Sequence, residues 1–183
     1  MDEQLAIQRL RNGDIGGLEI LVARYQVKAV RTAYLITGDP DLAEDIVQDA
    51  FVRTFRSIRG FDATRPFEPW FLRSVVNASL KMMQKSARQV HVGEESDETV
   101  LAKLVAQVES IEAQVESREV QNELWDAMQR LSPRQRTVIV QRYYLGMSEA
   151  EMVQDTGSAA GTIKWLLNAA RERLRYLLLR NNP

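Results

Sequence analysis

The sequence predicts an all-α protein made of two small helical domains that an acidic linker joins. Three observations predict this class. Apolar residues recur every three or four positions through most of the 183 residues, which is the spacing of a helix with one buried face. Capping residues and glycines divide that pattern into helices of ordinary length. Charge is segregated, because residues 51–88 and 130–183 are rich in Lys and Arg, whereas residues 1–50 and 89–129 carry an excess of Asp and Glu.

Three helices are predicted in the first third of the chain. A short helix spans residues 2–12, and a longer amphipathic helix ends at Gly38. Asp39 and Pro40 then stand in the order of an N-cap followed by proline at the first helical position. The third helix that they open is predicted to run to about Ile58.

The third helix carries a polar face that changes sign along its length. Asp45, Gln48 and Asp49 lie in its first half, and arginines follow in its last turns. The helix dipole favours this order. A metal or acid–base site is the other interpretation, but nothing shields these carboxylates from water and no His joins them. A surface for a protein partner is therefore the better interpretation.

The next stretch, FDATRPFEPWFLRSVVNASLKMMQKSAR at residues 61–88, is the most informative one. Its first half is crowded with aromatic residues, and Pro69 is placed to open a helix. Its second half has no Gly or Pro. One face of that predicted helix carries a basic stripe: Arg73, Asn77, Lys81, Lys85 and Arg88.

Two interpretations of this stretch remain open on the residues alone. Aromatic residues before a basic stripe are what a protein needs to hold unstacked bases above a tracked phosphate backbone. A helix of about twenty residues is roughly 30 Å long, so the stripe could follow several nucleotides. A core helix with a solvated basic edge gives the same pattern.

The domain boundaries follow from composition. We expect one domain at residues 1–90 and a second at residues 118–183, with an acidic, polar linker at residues 91–117. Two basic regions separated by acidic ones are typical of a protein with two polyanion contacts.

The second domain has the pattern of a helix-turn-helix. Ser132 opens a capping box and a helix that is predicted to end at Gly146, and Ser148 opens a second capping box and a short helix that ends at Gly157. Ser158 is predicted to cap the last helix. A short helix, a tight turn with glycine and a longer basic helix make up the helix-turn-helix plan.

The last helix divides into an apolar and a polar face. Five apolar residues are predicted to face the core: Ile163, Leu167, Ala170, Leu174 and Leu177. Lys164, Asn168, Arg171 and Arg175 share the outer side.

These motifs, in this order, resemble the extracytoplasmic function (ECF) sigma factors of bacterial RNA polymerase over nearly the whole chain. The first half is similar to their region two in GDIGGLEILVARYQ, TGDPDLAEDIVQDAFVRTFRSIRGFD and RPFEPWFLRSVVNASL. The second half is similar to their region four in LWDAMQRLSPRQRTVIVQRYYLGMSEAEMVQDTGSAAGTIK.

The resemblance implies a role for the polar face and for the basic stripe. Asp45, Gln48 and Asp49 would dock on the clamp helices of the largest subunit of core RNA polymerase. Asn77 would read a base flipped out of the promoter −10 element, which costs a few kcal/mol of unstacking. In this family the loop before the basic helix captures that base. The remaining −10 residues would border this loop or contact phosphates: Phe61, Phe67, Arg73, Lys81, Lys85 and Arg88.

The resemblance also implies that the last helix enters the major groove of the −35 element, and that an anti-sigma factor is a further partner. The residues expected at the −35 DNA are Thr162, Lys164, Trp165, Asn168 and Arg171. The segment GTIKWLLNAAR departs from the family there, because Leu166 and Ala169 stand where arginines are common and Trp165 replaces a small residue. Fewer charges predict fewer phosphate contacts and weaker binding.

Composition narrows the other classes of function. The chain has no Cys and a single His, and it lacks a phosphate-cradling glycine loop, so we predict no catalytic site, no metal and no cofactor. No apolar run approaches the length of a membrane span and no signal peptide begins the chain, so a cytoplasmic protein is expected. The alternative function is a helix-turn-helix regulator that binds duplex DNA without polymerase, which would leave the basic stripe and the polar face unused.

Overall fold

A computed structural model describes residues 3–89 and 111–181 of the chain, with side chains from 3–86 and 120–180. Within these residues all regular structure is helical, which confirms the predicted class. The chain divides into two compact units, Met1–Ser86 and Ala87–Pro183, and each is described by itself.

The predicted linker is only partly covered. Most of it, residues 91–110, lies outside the described residues. Its last residues, 111–117, already belong to a helix.

The first unit is built on four α-helices, and a single 3₁₀ turn at Ile58–Gly60 follows the third. In chain order the helices are α1 (Glu3–Arg11), α2 (Gly16–Thr37), α3 (Pro40–Ser57) and α4 (Phe67–Gln89).

The junction between α2 and α3 is as predicted. Gly38 adopts the left-handed conformation (φ 77°) that favours glycine, and its N–H donates to the Tyr34 carbonyl at 2.8 Å. The Asp39 carboxylate accepts from the Leu42 N–H at 3.0 Å, and Pro40 is the first helical residue. These caps satisfy backbone groups that the two helix ends would otherwise leave unbonded.

The start of α4 differs from the prediction by two residues. The helix begins at Phe67, so Pro69 is its third residue and not its first. Proline is still tolerated there, because the N–H groups of a helix's first turn have no intrahelical acceptor.

An aromatic cluster fills the centre of the first unit. Its rings come from α2, α3, the residue after the 3₁₀ turn and the start of α4: Tyr25, Phe51, Phe61, Phe67, Trp70 and Phe71. The Phe51 and Phe71 rings stack with centroids 4.5 Å apart, and Phe61 contacts Trp70 at 4.8 Å. Such offset and tilted ring pairs contribute about 0.5–1.5 kcal/mol each beyond the area that they bury. The cluster therefore holds α4 firmly against α2 and α3.

The helix α1 packs on α2 at Gly17. A Cβ atom at that position would lie 2.3 Å from the Ala6 carbonyl oxygen and 3.0 Å from Leu10 Cγ. Only glycine allows the two backbones to approach so closely. The approach buries Ala6, Ile7 and Leu10 against α2.

The second unit contains four described α-helices and one π-helical segment. They are α5 (Ile111–Gln129), α6 (Pro133–Ile139), the π segment (Val140–Tyr144), α7 (Glu149–Thr156) and α8 (Ala160–Asn181).

The π segment corrects the prediction of one regular helix from Ser132 to Gly146. After Ile139 the turns widen, so that the Leu145 N–H donates to the Val140 carbonyl, five residues back, at 3.0 Å. Sequence spacing does not reveal this change, because a π turn shifts the register without needing Gly or Pro.

The helix starts of the second unit are mostly as predicted. Both capping boxes, Ser132 with Gln135 and Ser148 with Glu151, make their two reciprocal bonds. The prediction for α8 is wrong by one residue. The N-cap position is Ala159 and not Ser158. The Ala159 carbonyl accepts the first helical bonds, from the N–H groups of Thr162 and Ile163.

A buried arginine ties α5 to α6. The Arg136 guanidinium donates through Nε to the Met128 carbonyl (3.0 Å) and through Nη2 to the Gln129 carbonyl (2.8 Å). Burial lowers the pKa of Arg136 to about 10, so the side chain stays charged at neutral pH. A cation at the last carbonyls of α5 also suits the helix dipole.

Candidate nucleic-acid and polymerase interfaces

The basic stripe of α4 faces solvent where the structure describes its side chains. Arg73, Asn77, Lys81 and Lys85 are all exposed. Arg88 lies in α4, but its side chain is outside the described residues. The opposite face of the helix is buried: Phe71, Leu72, Val75, Val76 and Ser79. The helix thus combines a packed inner face with an outer face of cations and one amide.

The loop at residues 62–66, which precedes α4, is organised by Asp62. Its carboxylate accepts from the Thr64 N–H at 3.0 Å and from the Thr64 hydroxyl at 2.7 Å, and Arg65 Nε lies 3.6 Å away. The hydrogen bonds from Thr64 hold the pKa of Asp62 below its ordinary value. We call residues 62–66 the capture loop. All five of these residues are exposed.

Phe61 and Phe67, which flank the capture loop, do not reach solvent. Their side chains are 3% and 0% exposed, and their ring centroids are 5.7 Å apart inside the aromatic cluster. A ring without exposed surface cannot stack on a base. We therefore correct their expected role from contact with −10 DNA to packing beneath the loop. Trp70, which the sequence analysis did not select, is the partly exposed ring beside them.

A further contact supports this region from α2. The Lys28 ammonium pairs with the Glu68 carboxylate in the first turn of α4. Glu68 is the only acidic residue in the first turn of that helix, and its pairing with Lys28 links α2 to the start of the stripe. This partly exposed pair adds little stability.

The polar face of α3 is accessible. Asp45, Gln48 and Asp49 are all exposed, while Ala43, Ile46, Val47 and Ala50 between them are buried. Val52 follows one turn later on the same side and is 45% exposed. Acidic and amide groups beside an exposed apolar side chain form a surface suited to a protein partner.

The second unit has a helix-turn-helix core. Val138, Met152, Ile163, Leu166 and Leu167 form one buried cluster. Four of the five predicted core residues of α8 are confirmed, because Ile163, Leu167, Ala170 and Leu177 are buried, whereas Leu174 is half-buried.

Leu166 belongs to that core, with only 8% of its side chain exposed. Ala169, by contrast, is half-buried at the surface beside Glu172, Arg173 and Tyr176. The two positions where the family resemblance expects arginine are therefore not equivalent. Only Ala169 could accept an arginine without burying a charge.

The −35 residues predicted on α8 are all exposed: Thr162, Lys164, Trp165, Asn168 and Arg171. Trp165 is 65% exposed, which is unusual for an indole without a partner surface.

Arg171 makes contacts that the sequence did not reveal. Its Nε–H donates to the Tyr143 hydroxyl at 2.8 Å, and its guanidinium carbon lies 5.8 Å from the centroid of that ring. Its Nη1 donates to Asn168 Oδ1 at 3.3 Å. Tyr143 lies in the π segment, 28 residues away in sequence. No local signal could have found it, because the pairing depends on how the segment packs against α8.

Metal and membrane sites receive no support from the described residues. Residues 3–89 and 111–181 contain no group of three or more His, Cys, Asp or Glu placed to hold a metal ion. None of the helices in those ranges is long and apolar enough to cross a membrane.

Comparison with protein families identifies both halves of the chain. Residues 21–89 match the family described as Sigma-70 region 2, and residues 121–174 match Sigma-70, region 4.

Comparison with individual proteins gives the same assignment over nearly the full length. The chain is 31% identical over 167 residues to the RNA polymerase sigma-E factor of Streptomyces antibioticus, covering 91% of this chain and 87% of that one. It is 29% identical over 176 residues to the ECF RNA polymerase sigma factor SigW of Bacillus subtilis, covering 94% of each chain. The sigma factor RpoE of Bartonella quintana, solved in complex with the anti-sigma factor NepR, has the same fold. That match has a TM-score of 0.66 at 23% identity and covers 87% of this chain and 95% of that one.

Proposed function

The chain belongs to the ECF sigma factors of RNA polymerase, and we propose which of its residues bind the polymerase and the promoter. As an RNA polymerase sigma factor, it directs core polymerase to promoters and contributes to opening them. The observation that carries the residue assignment is the exposed stripe of α4 beside the ordered capture loop.

The first unit binds the −10 element. Arg73, Lys81 and Lys85 are exposed on one face of α4 and contact successive phosphates, and Arg88 continues that stripe in sequence. Asn77 lies between Arg73 and Lys81, where its amide can both donate and accept a hydrogen bond. It reads a base that is flipped toward the capture loop. The buried aromatic cluster keeps the loop and the helix in a fixed relation, so less ordering is needed on binding.

The polar face of α3 docks on the clamp helices of the largest polymerase subunit. Asp45, Gln48 and Asp49 supply exposed acceptors, and Val52 adds an apolar contact beside them. Charge complementarity of this kind favours rapid and specific association.

The second unit binds the −35 element through the exposed face of α8. Lys164 and Arg171 contact phosphates, Thr162 and Trp165 reach base edges in the major groove, and Asn168 lies at the DNA beside Arg171. The buried Leu166 contributes to the core and not to the DNA. The second unit therefore binds its element with fewer phosphate-contacting cations than the first unit does.

An anti-sigma factor is the third partner that we propose. The similar sigma factor RpoE from Bartonella quintana was solved in complex with the anti-sigma factor NepR. We propose that the protein recognises these partners without catalytic activity of its own. It acts in the cytoplasm, where polymerase and promoter meet.

Run-off transcription tests the function directly. Core RNA polymerase with and without the full chain is supplied with a library of promoter fragments, and the transcripts are sequenced. We expect transcripts that share −10 and −35 sequences only when the chain is present. A chain that shifts duplex DNA but neither binds core polymerase nor yields such transcripts would support the helix-turn-helix regulator instead.

A further inference from the structure

We propose that Tyr143, Asn168 and Arg171 form a preformed site for one phosphate of the duplex DNA that the second unit binds. The proposal deepens the −35 contact and rests on the proposed function. It adds Tyr143, a residue outside the recognition helix, and it gives Asn168 a role different from base reading.

Arg171 is already hydrogen-bonded to both of the other side chains. Arg171 Nε–H donates to the Tyr143 hydroxyl at 2.8 Å, and Arg171 Nη1 donates to Asn168 Oδ1 at 3.3 Å. The guanidinium carbon is 5.8 Å from the Tyr143 ring centroid, within the range of a cation–π contact. The guanidinium, whose long side chain is otherwise free to rotate, is thus held in one orientation.

The pattern of these bonds determines which ligand the site can accept. The Tyr143 oxygen and Asn168 Oδ1 both act as acceptors for Arg171. Each residue still offers a donor: the tyrosine O–H, the amide NH₂ and the remaining guanidinium N–H groups. All three side chains are exposed. Several donors in one cluster, one of them charged, are complementary to an oxyanion.

The surrounding surface favours a phosphate of a polyanion over the carboxylate of a protein. The outer file of α8 carries three cations and one amide, Lys164, Arg171, Arg175 and Asn168, and Glu172 is the single carboxylate beside it on this helix. Lys164 and Arg171 are seven residues apart, or about 10 Å along the axis. Two cations at that spacing beside the turn of a helix-turn-helix match the course of a DNA backbone.

The π segment explains why Tyr143 reaches α8. Its widened turn begins at Val140, and the last bond of the segment joins the Leu145 N–H to the Val140 carbonyl. Val140 and Gln141 are buried on the inner side, while Tyr143 is 62% exposed. Widened turns of this kind occur often at functional sites, because they redirect side chains without ending the helix.

The test compares full-chain variants bound to core polymerase on a promoter obtained by run-off selection. Tyr143→Phe removes the hydroxyl and keeps the ring, and Arg171→Gln removes the charge. Tyr176→Phe is the matched control, since Tyr176 is also exposed and has the Arg173 guanidinium carbon 5.7 Å from its ring centroid. Binding is measured by fluorescence anisotropy on duplexes in which a neutral methylphosphonate replaces one phosphate at a time.

We expect Tyr143→Phe to weaken promoter binding about three- to tenfold, with no change for Tyr176→Phe. Arg171→Gln should weaken it further and lower the salt slope by about one. One methylphosphonate position near the −35 element should weaken the wild type, weaken Tyr143→Phe less, and have almost no additional effect on Arg171→Gln. Thermal unfolding should be unchanged in both tyrosine variants.

Three results would overturn the proposal. The first is that every methylphosphonate weakens Tyr143→Phe as much as it weakens the wild type. The second is tighter DNA binding by Tyr143→Phe, which would mean that the hydroxyl withholds Arg171 from DNA. The third is a loss of binding to core polymerase with DNA binding intact, which would identify a carboxylate of a protein partner as the ligand.

Failure of the proposed function would look different. In that case the wild type yields no specific run-off transcript. The phosphate site is then judged from duplex binding by the chain alone, with the same variants and the same neutral linkages.

Discussion

The helices α4 and α8 each present a polar file to solvent, but they use it differently. In α4 the exposed file includes three cations and one amide above a large buried aromatic cluster. In α8 one of the family's expected arginine positions is taken by Leu166 in the core, and Arg171 is bonded to Tyr143 and Asn168.

The number of cations along a helix therefore does not by itself measure how tightly the helix binds DNA. Burial and the bonds that each cation already makes decide how much of its charge is available. We expect the exposed cations of α4 to give affinity for the phosphate backbone with little sequence information. The described part of each file holds three cations and one amide, so we expect a difference in DNA binding to come from the bonds that fix Arg171 and not from the number of charges.

The largest effect is expected from Leu166→Arg. This change places a charge in the apolar cluster with Val138, Met152 and Ile163, so we expect the second unit to lose about 3 kcal/mol of unfolding free energy. Urea denaturation monitored by tryptophan fluorescence measures it. Ala169→Arg is the control, because Ala169 lies at the surface and should cost little. Equal stability of the two variants would show that Leu166 does not belong to the core.

The second largest effect is expected at the polar face of α3. Reversing charge at Asp45 and Asp49 together should weaken core-polymerase binding by about 2–3 kcal/mol without unfolding the first unit, since both side chains are exposed. A pull-down titration measures the affinity. Glu19→Lys, an exposed reversal on α2, is the control. Unchanged affinity in the double variant would remove α3 from the polymerase contact.

Asn77 tests whether the exposed face of α4 discriminates between bases as well as binding phosphates. Asn77→Ala should forfeit about 1–2 kcal/mol of discrimination at one −10 position, because the amide can no longer bond a base edge. Run-off transcription with all four bases at each −10 position measures this. Lys81→Ala is the contrasting variant, since loss of a phosphate contact should weaken binding equally on all sequences. An unchanged base preference in Asn77→Ala would leave that residue as a surface amide.

The smallest effect concerns the capture loop. The Thr64 hydroxyl and N–H lower the pKa of Asp62, so their stabilisation is present above the unfolded pKa and is lost as pH falls through the lower folded pKa. Thr64→Val removes the hydroxyl and should raise the Asp62 pKa toward its ordinary value, as an NMR titration would detect. Ser148→Ala is the parallel change in the second unit, where Ser148 lowers the pKa of Glu151. An Asp62 pKa that does not respond to Thr64→Val would contradict the hydrogen bonds assigned to the loop.

The sequence by itself determined the helical class, most helix boundaries and the exposed candidate residues. Local chemistry carries that information, since Asp39 with Pro40, the two capping boxes and the glycine at position 38 each act on neighbouring backbone. Periodicity likewise placed Asn77 and Lys81 outward and Leu167 inward, because a helix repeats its faces every turn.

Only the tertiary structure decided what each selected side chain contacts. Phe61 and Phe67 look available in sequence, yet Tyr25 from α2 and the α4 rings Trp70 and Phe71 pack around them and both rings are buried. Leu166 lies beside the polar file of α8, but Val138 and Met152 from two other helices enclose it. Tyr143 reaches Arg171 across 28 residues through a π turn that no sequence spacing announces. Burial and long-range pairing depend on which helices meet, and a one-dimensional pattern does not contain that.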